Sequence, residues 1–327
     1  MAPVLEVSGL STVFHTRRGL VRAVQDVSFS VNAGETLAIV GESGCGKTIT
    51  ALSLMRLIPM PPGQITSGSV KVDGTDLLQL DEREMRKMRG GKIAMIFQEP
   101  MTALNPLLTI GRQIAEMVML HDNASRAVAK TRAVEMLHHV RIPEPERRAR
   151  EYPHQMSGGM RQRAMIAMAL ACKPKVLVAD EPTTALDVTI QAQILDLIGD
   201  LQKEFGTAVV LITHDLGVVA ETAQRVVVMY AGRKVEEAPI KEIFARPSHP
   251  YLRGLLNSIP RVGSARGLDV SPDERLQEIS GIVPPLNDLP VGCAFNPRCS
   301  LANDQCRAER PAFELKHGDH YAACFQA

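Results

Sequence analysis

The chain has 327 residues, a length typical of about two domains. Its 37 basic and 36 acidic side chains nearly balance, which argues against a dedicated nucleic-acid-binding protein, because phosphate neutralisation needs a basic excess on some face. Hydrophobic residues make up 45% of the sequence, too many for a disordered chain, and aromatic residues only 4%, so we expect an aliphatic core.

Apolar or alternating segments predict strands in the first part of the chain, at residues 4–7, 26–31, 36–40, 69–73 and 92–97. The segment 36–40 is continuously apolar, as expected of a strand buried on both faces. A glycine-rich turn follows it, and then a helix predicted at 47–57, which the prolines from Pro59 onward would end.

From about residue 99 to 174 the sequence becomes helical and polar, with helices predicted at 111–120, 126–140 and 160–171. Strands then resume, at 176–180, 208–213 and 225–230. Strands that alternate with helices indicate an α/β fold with a mostly parallel sheet, to which an antiparallel β part and a helical subdomain at about 99–174 are added. After about residue 258 the chain is rich in proline, and we expect it to be irregular.

A membrane-spanning segment is not predicted. The longest apolar stretch, residues 164–172, is about half of the roughly 20 residues that a helix needs to cross a bilayer. No basic start followed by an apolar run marks a signal peptide. We therefore expect a cytosolic chain that meets a membrane only through a partner.

A phosphate-binding pattern lies between the strand at 36–40 and the following helix. Residues 41–48 fit G-x-x-x-x-G-K-[ST], whose backbone amides and helix N-terminus attract phosphate. Lys47 would add a full charge at the β- and γ-phosphates, and the Thr48 hydroxyl can ligate Mg²⁺. The nucleotide-binding residues predicted from this loop are Gly41, Glu42, Ser43, Gly44, Cys45, Gly46, Lys47 and Thr48.

Two carboxylates follow the buried strand predicted at 176–180. Asp180, at the end of the strand, suits Mg²⁺ held through water, and Glu181 can polarise an attacking water. A carboxylate pair that merely caps a strand is the plain alternative, and the phosphate loop makes it the weaker one.

Further motifs in a fixed order identify a family. Residues 156–163, Met-Ser-Gly-Gly-Met-Arg-Gln-Arg, precede a helix, and with the phosphate loop and the acidic pair they make the sequence similar to the ATP-binding-cassette (ABC) ATPases over about residues 3–258. The resemblance implies a Q-loop glutamine at Gln98, a signature motif at Ser157, Gly158 and Gly159, and a D-loop at 184–187 that includes Asp187. It also implies a switch histidine at His214 and an adenine-stacking aromatic at Phe14. Met156 and Met160 stand where Leu and Gln are commoner.

The roles that this resemblance implies form one ATPase mechanism. Lys47 would bind the phosphates; Thr48, Gln98 and Asp180 would organise Mg²⁺; Glu181 would act as the base and His214 would stabilise the γ-phosphate. Taken singly, Gln98 could be a strand-end cap, His214 an ordinary loop histidine and Phe14 a packing residue. In the family two cassettes meet head to tail, so this chain would need a second cassette.

The segment 248–260, which begins Ser-His-Pro-Tyr, and the cysteine-bearing tail narrow the resemblance to the ATPase subunits of bacterial dipeptide/oligopeptide (and nickel) importers. This implies a peripheral subunit on the cytoplasmic face of the inner membrane. Its partners would be a paralogous cassette, two transmembrane permeases and an extracytoplasmic peptide-binding protein, with no nucleic acid. The alternatives are an importer of nickel, glutathione or another solute, a non-transport cassette of DNA repair or translation, and a degenerate cassette that binds ATP without turnover.

Four of the six cysteines, Cys293, Cys299, Cys306 and Cys324, lie in the tail. In a reducing compartment metal or cluster ligation is favoured over disulfides. Some members of the resembled family place a [4Fe–4S] cluster there, and four thiolates also suit zinc, although compact C-x₂-C pairs are missing. Four reduced thiols without metal remain the third possibility. The expected division is an ABC ATPase domain at 1–258 and a C-terminal extension at 259–327.

Overall fold

The computed structural model describes residues 2–17, 19–99, 103–183, 187–258 and 279–327, which form an α/β fold. Its strands are β1 (Leu5–Thr16), β2 (Gly19–Val31), β3 (Thr36–Val40), β4 (Gly63–Val72), β5 (Thr75–Asp76), β6 (Ile93–Ile96), β7 (Val176–Asp180), β8 (Ala208–Ile212), β9 (Arg225–Tyr230), β10 (Arg233–Pro239), β11 (Glu314–His317) and β12 (His320–Ala322).

The α-helices of the described residues lie between these strands in the chain and on both sides of the larger sheet. They are α1 (Lys47–Leu54), α2 (Glu82–Met88), α3 (Ile110–His121), α4 (Arg126–His139), α5 (Pro145–Arg148), α6 (Gly158–Leu170), α7 (Val188–Phe205), α8 (Leu216–Thr222), α9 (Ile240–Ala245), α10 (Pro250–Asn257) and α11 (Asp304–Ala308).

The larger sheet holds eight of the described strands in the order β11-β12-β10-β9-β3-β8-β7-β6. Its parallel part, from β9 to β6, consists of the strands predicted at 36–40, 92–97, 176–180, 208–213 and 225–230. β3, β7 and β8 are buried at every position. Because parallel strands end at one edge of the sheet, the residues after β3, β7 and β8 meet there.

The smaller sheet is antiparallel, with the order β2-β1-β4-β5. The segments predicted at 4–7, 26–31 and 69–73 cover only the start of β1 and the ends of β2 and β4. β1 is longer than predicted. Irregularities in its pairing at Leu10 and Thr12 interrupt the alternation of buried and exposed side chains, which is the pattern that predicts a strand. The antiparallel β part of the predicted fold class is confirmed.

The predicted helices at 111–120, 126–140 and 160–171 correspond to α3, α4 and α6 within two residues. They pack on one apolar cluster that reaches the sheet through β6, β7 and β8. α1 ends at Leu54, three residues before the predicted end, and Arg56 has a positive φ of 50°. Among the described residues, no helix combines the length and apolar character needed to cross a bilayer.

The C-terminal segment is more regular than its proline content predicts. β12 pairs with β10, so the β11–β12 hairpin extends the larger sheet at its edge. Phe295 packs on Tyr230 and Tyr251, with ring centroids 5.2 and 5.4 Å apart. Residues 279–327 thus rest directly on the rest of the chain, and the domain division at 258/259 stays a prediction.

Candidate functional site

The phosphate loop, residues 41–48, joins the carboxyl end of β3 to α1. Two of its glycines are required by close backbone approaches. A Cβ at Gly41, where φ is 151°, would clash with the carbonyl of Met229, and one at Gly46, where φ is 100°, would clash with the carbonyl of Ala23. Gly46 is also the N-cap of α1, so the loop ends at the free amides of a helix N-terminus, where anions are favoured.

Lys47 lies inside this loop. Its side chain is buried, and Nζ donates hydrogen bonds to the carbonyl oxygens of Gly41 at 2.7 Å and Glu42 at 3.1 Å. Cys45 is fully buried beside it, and burial raises the pKa of its thiol, which agrees with a residue that only fills the loop. A cavity at the loop is lined by Ala23, Ser43, Gly44, Gly46, Lys47, Thr48, Ile49, Gln98, Glu181 and Leu286.

Thr48, which lines this cavity, contacts Asp180 through a hydrogen bond from Thr48 Oγ1 to Asp180 Oδ1 at 3.3 Å. Asp180 ends β7 and is 2% exposed. Burial raises its pKa to about 6, and the neighbouring Glu181 adds to the shift, while the Thr48 hydrogen bond opposes it. A hydroxyl and a carboxylate are hard oxygen ligands of the kind that Mg²⁺ prefers, so the pair fits that ion.

Glu181 joins three separate parts of the chain. Its Oε2 accepts a hydrogen bond from Gln98 Nε2 at 3.0 Å, and its Oε1 lies 3.1 Å from His214 Nδ1. Its φ of 46° is unusual for a residue with a side chain, and such conformations concentrate at functional sites. The predicted Gln98, Glu181 and His214 are therefore brought together beside Lys47 and Thr48.

The signature residues do not line this cavity. Ser157 is the N-cap of α6 and accepts a hydrogen bond from the amide of Met160 at 3.4 Å. Ser157 and Gly158 are exposed, and a Cβ at Gly158 would meet open space. Gly159 faces Ile190 of α7. The start of α6 is therefore exposed to solvent and lies apart from the residues that line the phosphate-loop cavity of the same chain.

The remaining predicted residues have local partners. Asp187 is the N-cap of α7 and accepts from the amide of Ile190 at 2.9 Å, while residues 184–186 of the predicted D-loop lie outside the described residues. Phe14 is half-buried in β1, opposite Val21 and Gly63, and is not among the residues that line the phosphate-loop cavity. Its role in adenine stacking stays a prediction.

Two contacts to the loop were not predicted. The hydroxyl of Tyr251 accepts a hydrogen bond from the amide of Glu42 at 2.7 Å, and Arg298 pairs with the Glu42 carboxylate. Tyr251 belongs to the Ser-His-Pro-Tyr segment, which narrows the family resemblance but does not indicate a contact with the phosphate loop. Nothing in the sequence near Arg298 indicated its partner, which lies 256 positions away.

The four tail cysteines line one small cavity, together with His249 and Phe295. Burial raises the pKa of the Cys293, Cys299 and Cys324 thiols, and their neighbouring thiols contribute in the same direction. In the part of the chain that the structure describes, no three of these sulfurs lie within 4.8 Å of one another. The thiols are therefore gathered but spaced more widely than the corners of a compact four-ligand site.

Comparisons with known proteins find matching family models, similar sequences and similar solved structures. A family model described as ABC transporter matches residues 24–184, and one described as oligopeptide/dipeptide transporter, C-terminal region, matches residues 235–306. The "Probable peptide ABC transporter ATP-binding protein y4tR" of Sinorhizobium fredii is 56% identical and covers 99% of this chain and 95% of that protein. The oligopeptide transport ATP-binding protein OppD of Bacillus subtilis is 54% identical over 97% of this chain and 87% of that protein.

A similar solved structure is the ATP-binding cassette MJ0796, in a dimeric post-hydrolysis state bound to ADP and Pi. It has a TM-score of 0.65 and 30% sequence identity, and the match covers 72% of this chain and 98% of that one.

Proposed function

Since the chain belongs to the ABC transporter ATP-binding family, and carries the C-terminal region of its oligopeptide/dipeptide branch, we propose that it hydrolyses ATP to power the import of peptides. The observation that carries the proposal is the junction of Gln98, Glu181 and His214 next to Lys47. An orienting amide, a base and a phosphate-binding cation thus line one cavity, and the histidine contacts the base.

Binding of the triphosphate rests on Lys47 and the loop amides. Lys47 Nζ is already desolvated and held by two carbonyls, so its position needs little reorganisation when phosphate oxygens approach. Thr48 and Asp180 fit Mg²⁺, which would neutralise charge on the phosphate oxygens. A cation beside Asp180 favours the charged carboxylate and offsets the burial that raises its pKa.

Glu181 is the proposed base for the attacking water. The amide of Gln98 holds one carboxylate oxygen and His214 the other, which fixes the orientation of the group. The His214 side chain is 66% exposed, so its ring remains accessible to a γ-phosphate. In this scheme His214 stabilises charge on that phosphate while Glu181 orients the water.

The outward position of the signature residues supports a composite site. Ser157, Gly158 and Gly159 would bind the γ-phosphate held by a second cassette, which is the geometry that the family resemblance implies. We infer a complex with a paralogous cassette, two permeases and an extracytoplasmic peptide-binding protein, peripheral to the cytoplasmic face of the inner membrane. Nickel and glutathione are the alternative solutes, because the residues described above are proposed to contact the nucleotide and would not contact the cargo.

The test uses the transporter reconstituted with its genomic permeases, second cassette and binding protein. Glu181→Gln is expected to keep ATP binding and lose about 100-fold or more of turnover, because the water loses its orienting carboxylate. Glu221→Gln, an exposed change on α8, is the matched control. Stimulation of turnover by binding protein loaded with nickel or glutathione, but not with peptide, would reject the peptide assignment; normal turnover in Glu181→Gln would reject the role of Glu181.

The four tail cysteines are the proposed ligands of a [4Fe–4S] cluster. Each zinc–sulfur bond is about 2.3 Å, so a tetrahedral zinc site needs sulfurs about 3.8 Å apart. The wider spacing of Cys293, Cys299, Cys306 and Cys324 favours the larger cluster over zinc. Their position around one cavity next to Phe295 suits a structural role in holding the tail together.

A further inference from the structure

Two imidazoles and a carboxylate gather at the outer edge of the larger sheet. One ligand atom from each of Glu242, His317 and His320 lies within 4.8 Å of the other two. None of these residues is a ligand in the nucleotide site or one of the four tail thiols. They belong to α9 and to the β11–β12 hairpin, which meet along β10.

The hairpin places its two histidines next to each other. His317 and His320 pair directly across a two-residue loop, and Gly318 in that loop has a positive φ of 50°. Residues directly opposite in an antiparallel pair project to the same face. The two imidazole rings are 4.6 Å apart between centroids. Glu242 comes from α9, which begins where β10 ends.

The ring of His320 is held in place by a second carboxylate. His320 and Glu236 are both fully buried, and His320 Nε2 lies 2.6 Å from Glu236 Oε1. An ionised carboxylate can only accept, so Nε2 donates to Glu236 and Nδ1 is the ring nitrogen of His320 that is left for another partner. Glu236 is held in turn by the amides of Ser248 and His249, at 2.7 and 2.8 Å.

One ring nitrogen of each histidine lacks a hydrogen-bond partner. Nδ1 of His317 and Nδ1 of His320 are both buried and make no hydrogen bond. An unsatisfied buried polar atom is costly, and a cation shared by both nitrogens would satisfy them together. Histidine ligands in metal sites commonly donate their other ring N–H to a carboxylate, which is the arrangement of His320 and Glu236.

We propose that Glu242, His317 and His320 bind one divalent first-row metal ion, with Zn²⁺ as the ion to test. Two imidazoles and one carboxylate form a ligand set that zinc uses with water in the remaining position. An open pocket beside His317 and Glu242 gives such a water access. The bound ion clasps the β11–β12 hairpin to α9 and so secures the end of the sheet next to β10.

The experiment measures metal binding by the anaerobically purified full chain. Co²⁺ is used as the optical probe, and Zn²⁺ affinity is measured by competition with a chelating indicator. We expect one site per chain whose Co²⁺ spectrum lacks thiolate charge-transfer bands, because its ligands are nitrogen and oxygen. His317→Ala and Glu242→Gln should each weaken Zn²⁺ binding at this site at least about 10-fold. Asp319→Asn, in the same hairpin loop but outside the cluster, should leave it unchanged.

A second measurement tests whether the bound metal holds the β11–β12 hairpin to α9. Zn²⁺ should slow hydrogen exchange of the β12 amides in the wild-type chain and not in His317→Ala, which changes a side chain at the sheet edge and leaves the buried His320–Glu236 pair intact. The proposal is overturned if both ligand variants bind Zn²⁺ like the wild type. It is equally overturned if every bound metal shows thiolate bands or disappears in Cys299→Ser.

Discussion

Arg298, the residue before Cys299, forms a bidentate ion pair with Glu42 of the phosphate loop, at 2.7 and 3.0 Å. The Arg298 side chain is only 4% exposed, and the Glu42 carboxylate raises the pKa of its guanidinium. Arg298 also donates to the carbonyls of Ser280 and Ile279. The cysteine-bearing tail is therefore tied directly to the loop that would hold the ATP phosphates.

Loss of Arg298 should weaken ATP binding through charge. In Arg298→Met the Glu42 carboxylate stays in the loop without its counter-ion and repels the phosphates, so we expect the ATP Kd to rise roughly 10-fold, or about 1.4 kcal/mol. Adding Glu42→Gln removes the repulsion and should restore most of the affinity. Titration with a fluorescent ATP analogue measures both variants, with Arg307→Met, a change in an exposed ion pair, as control.

The double variant separates charge from packing. If Arg298→Met/Glu42→Gln binds ATP as weakly as Arg298→Met, the lost contacts of the guanidinium with the tail carbonyls would be responsible. Unchanged affinity in Arg298→Met alone would show that the ion pair does not influence the nucleotide.

Asp180→Asn should stabilise the metal-free protein at neutral pH. Burial raises the Asp180 pKa to about 6, so between about pH 4 and 6 the folded chain binds more protons than the unfolded one. The stability from this carboxyl is thus present at low pH and is lost as the pH rises through about 6. Asparagine avoids the loss, so above pH 6 we expect the free energy of unfolding to increase by about 1–3 kcal/mol.

Urea unfolding in a chelator at pH 5 and pH 8 measures this effect. The difference between Asp180→Asn and the wild type should be larger at pH 8. With Mg²⁺ and ATP the order should reverse, because the variant loses a metal ligand. A constant difference across this pH range would show that Asp180 titrates normally.

Gln98→Ala should lower transport-linked ATPase activity more than it lowers ATP affinity. The amide of Gln98 orients Glu181, and the chain after Gln98 leads toward the helical part at α3–α6, where the family resemblance places the permease contact. We expect transport-linked ATPase activity to fall more than ATP affinity, measured on the same reconstituted complex. Comparable losses in both would reduce Gln98 to an ordinary nucleotide ligand.

The sequence predicted the parallel strands and the phosphate loop because their signals are local. Residues 36–40 and 176–180 are continuously apolar, and residues 41–48 form one compact pattern. β10 was missed because its sequence, Arg-Lys-Val-Glu-Glu-Ala-Pro, is mostly polar, although Glu236 within it is fully buried. Its burial depends on His320 and on the amides of Ser248 and His249, partners that only the fold brings near.

The same limit applies to the candidate site. Lys47, Thr48, Asp180 and Glu181 follow from motifs, but the link between Glu42 and Arg298 spans 256 positions and has no local pattern. Likewise, a predicted hairpin would place His317 next to His320. Glu242 joins them only because α9, which follows β10 in the chain, lies beside the hairpin in the fold.

If the tail binds the proposed cluster, the protein should be coloured, and the colour should depend on the four cysteines that line the tail cavity. Anaerobically purified chain should be brown and hold about four iron atoms, as a Cys₄ [4Fe–4S] site requires. Cys299→Ser should lose the colour and expose the tail to protease, while ATP still binds at residues 41–48. Cys172→Ser is the matched control, because Cys172 is a partly buried thiol that donates to the Met117 carbonyl outside the tail. A colourless chain whose zinc disappears in Cys299→Ser would replace the cluster with a zinc site, and a metal-free tail with four titratable thiols would reject both.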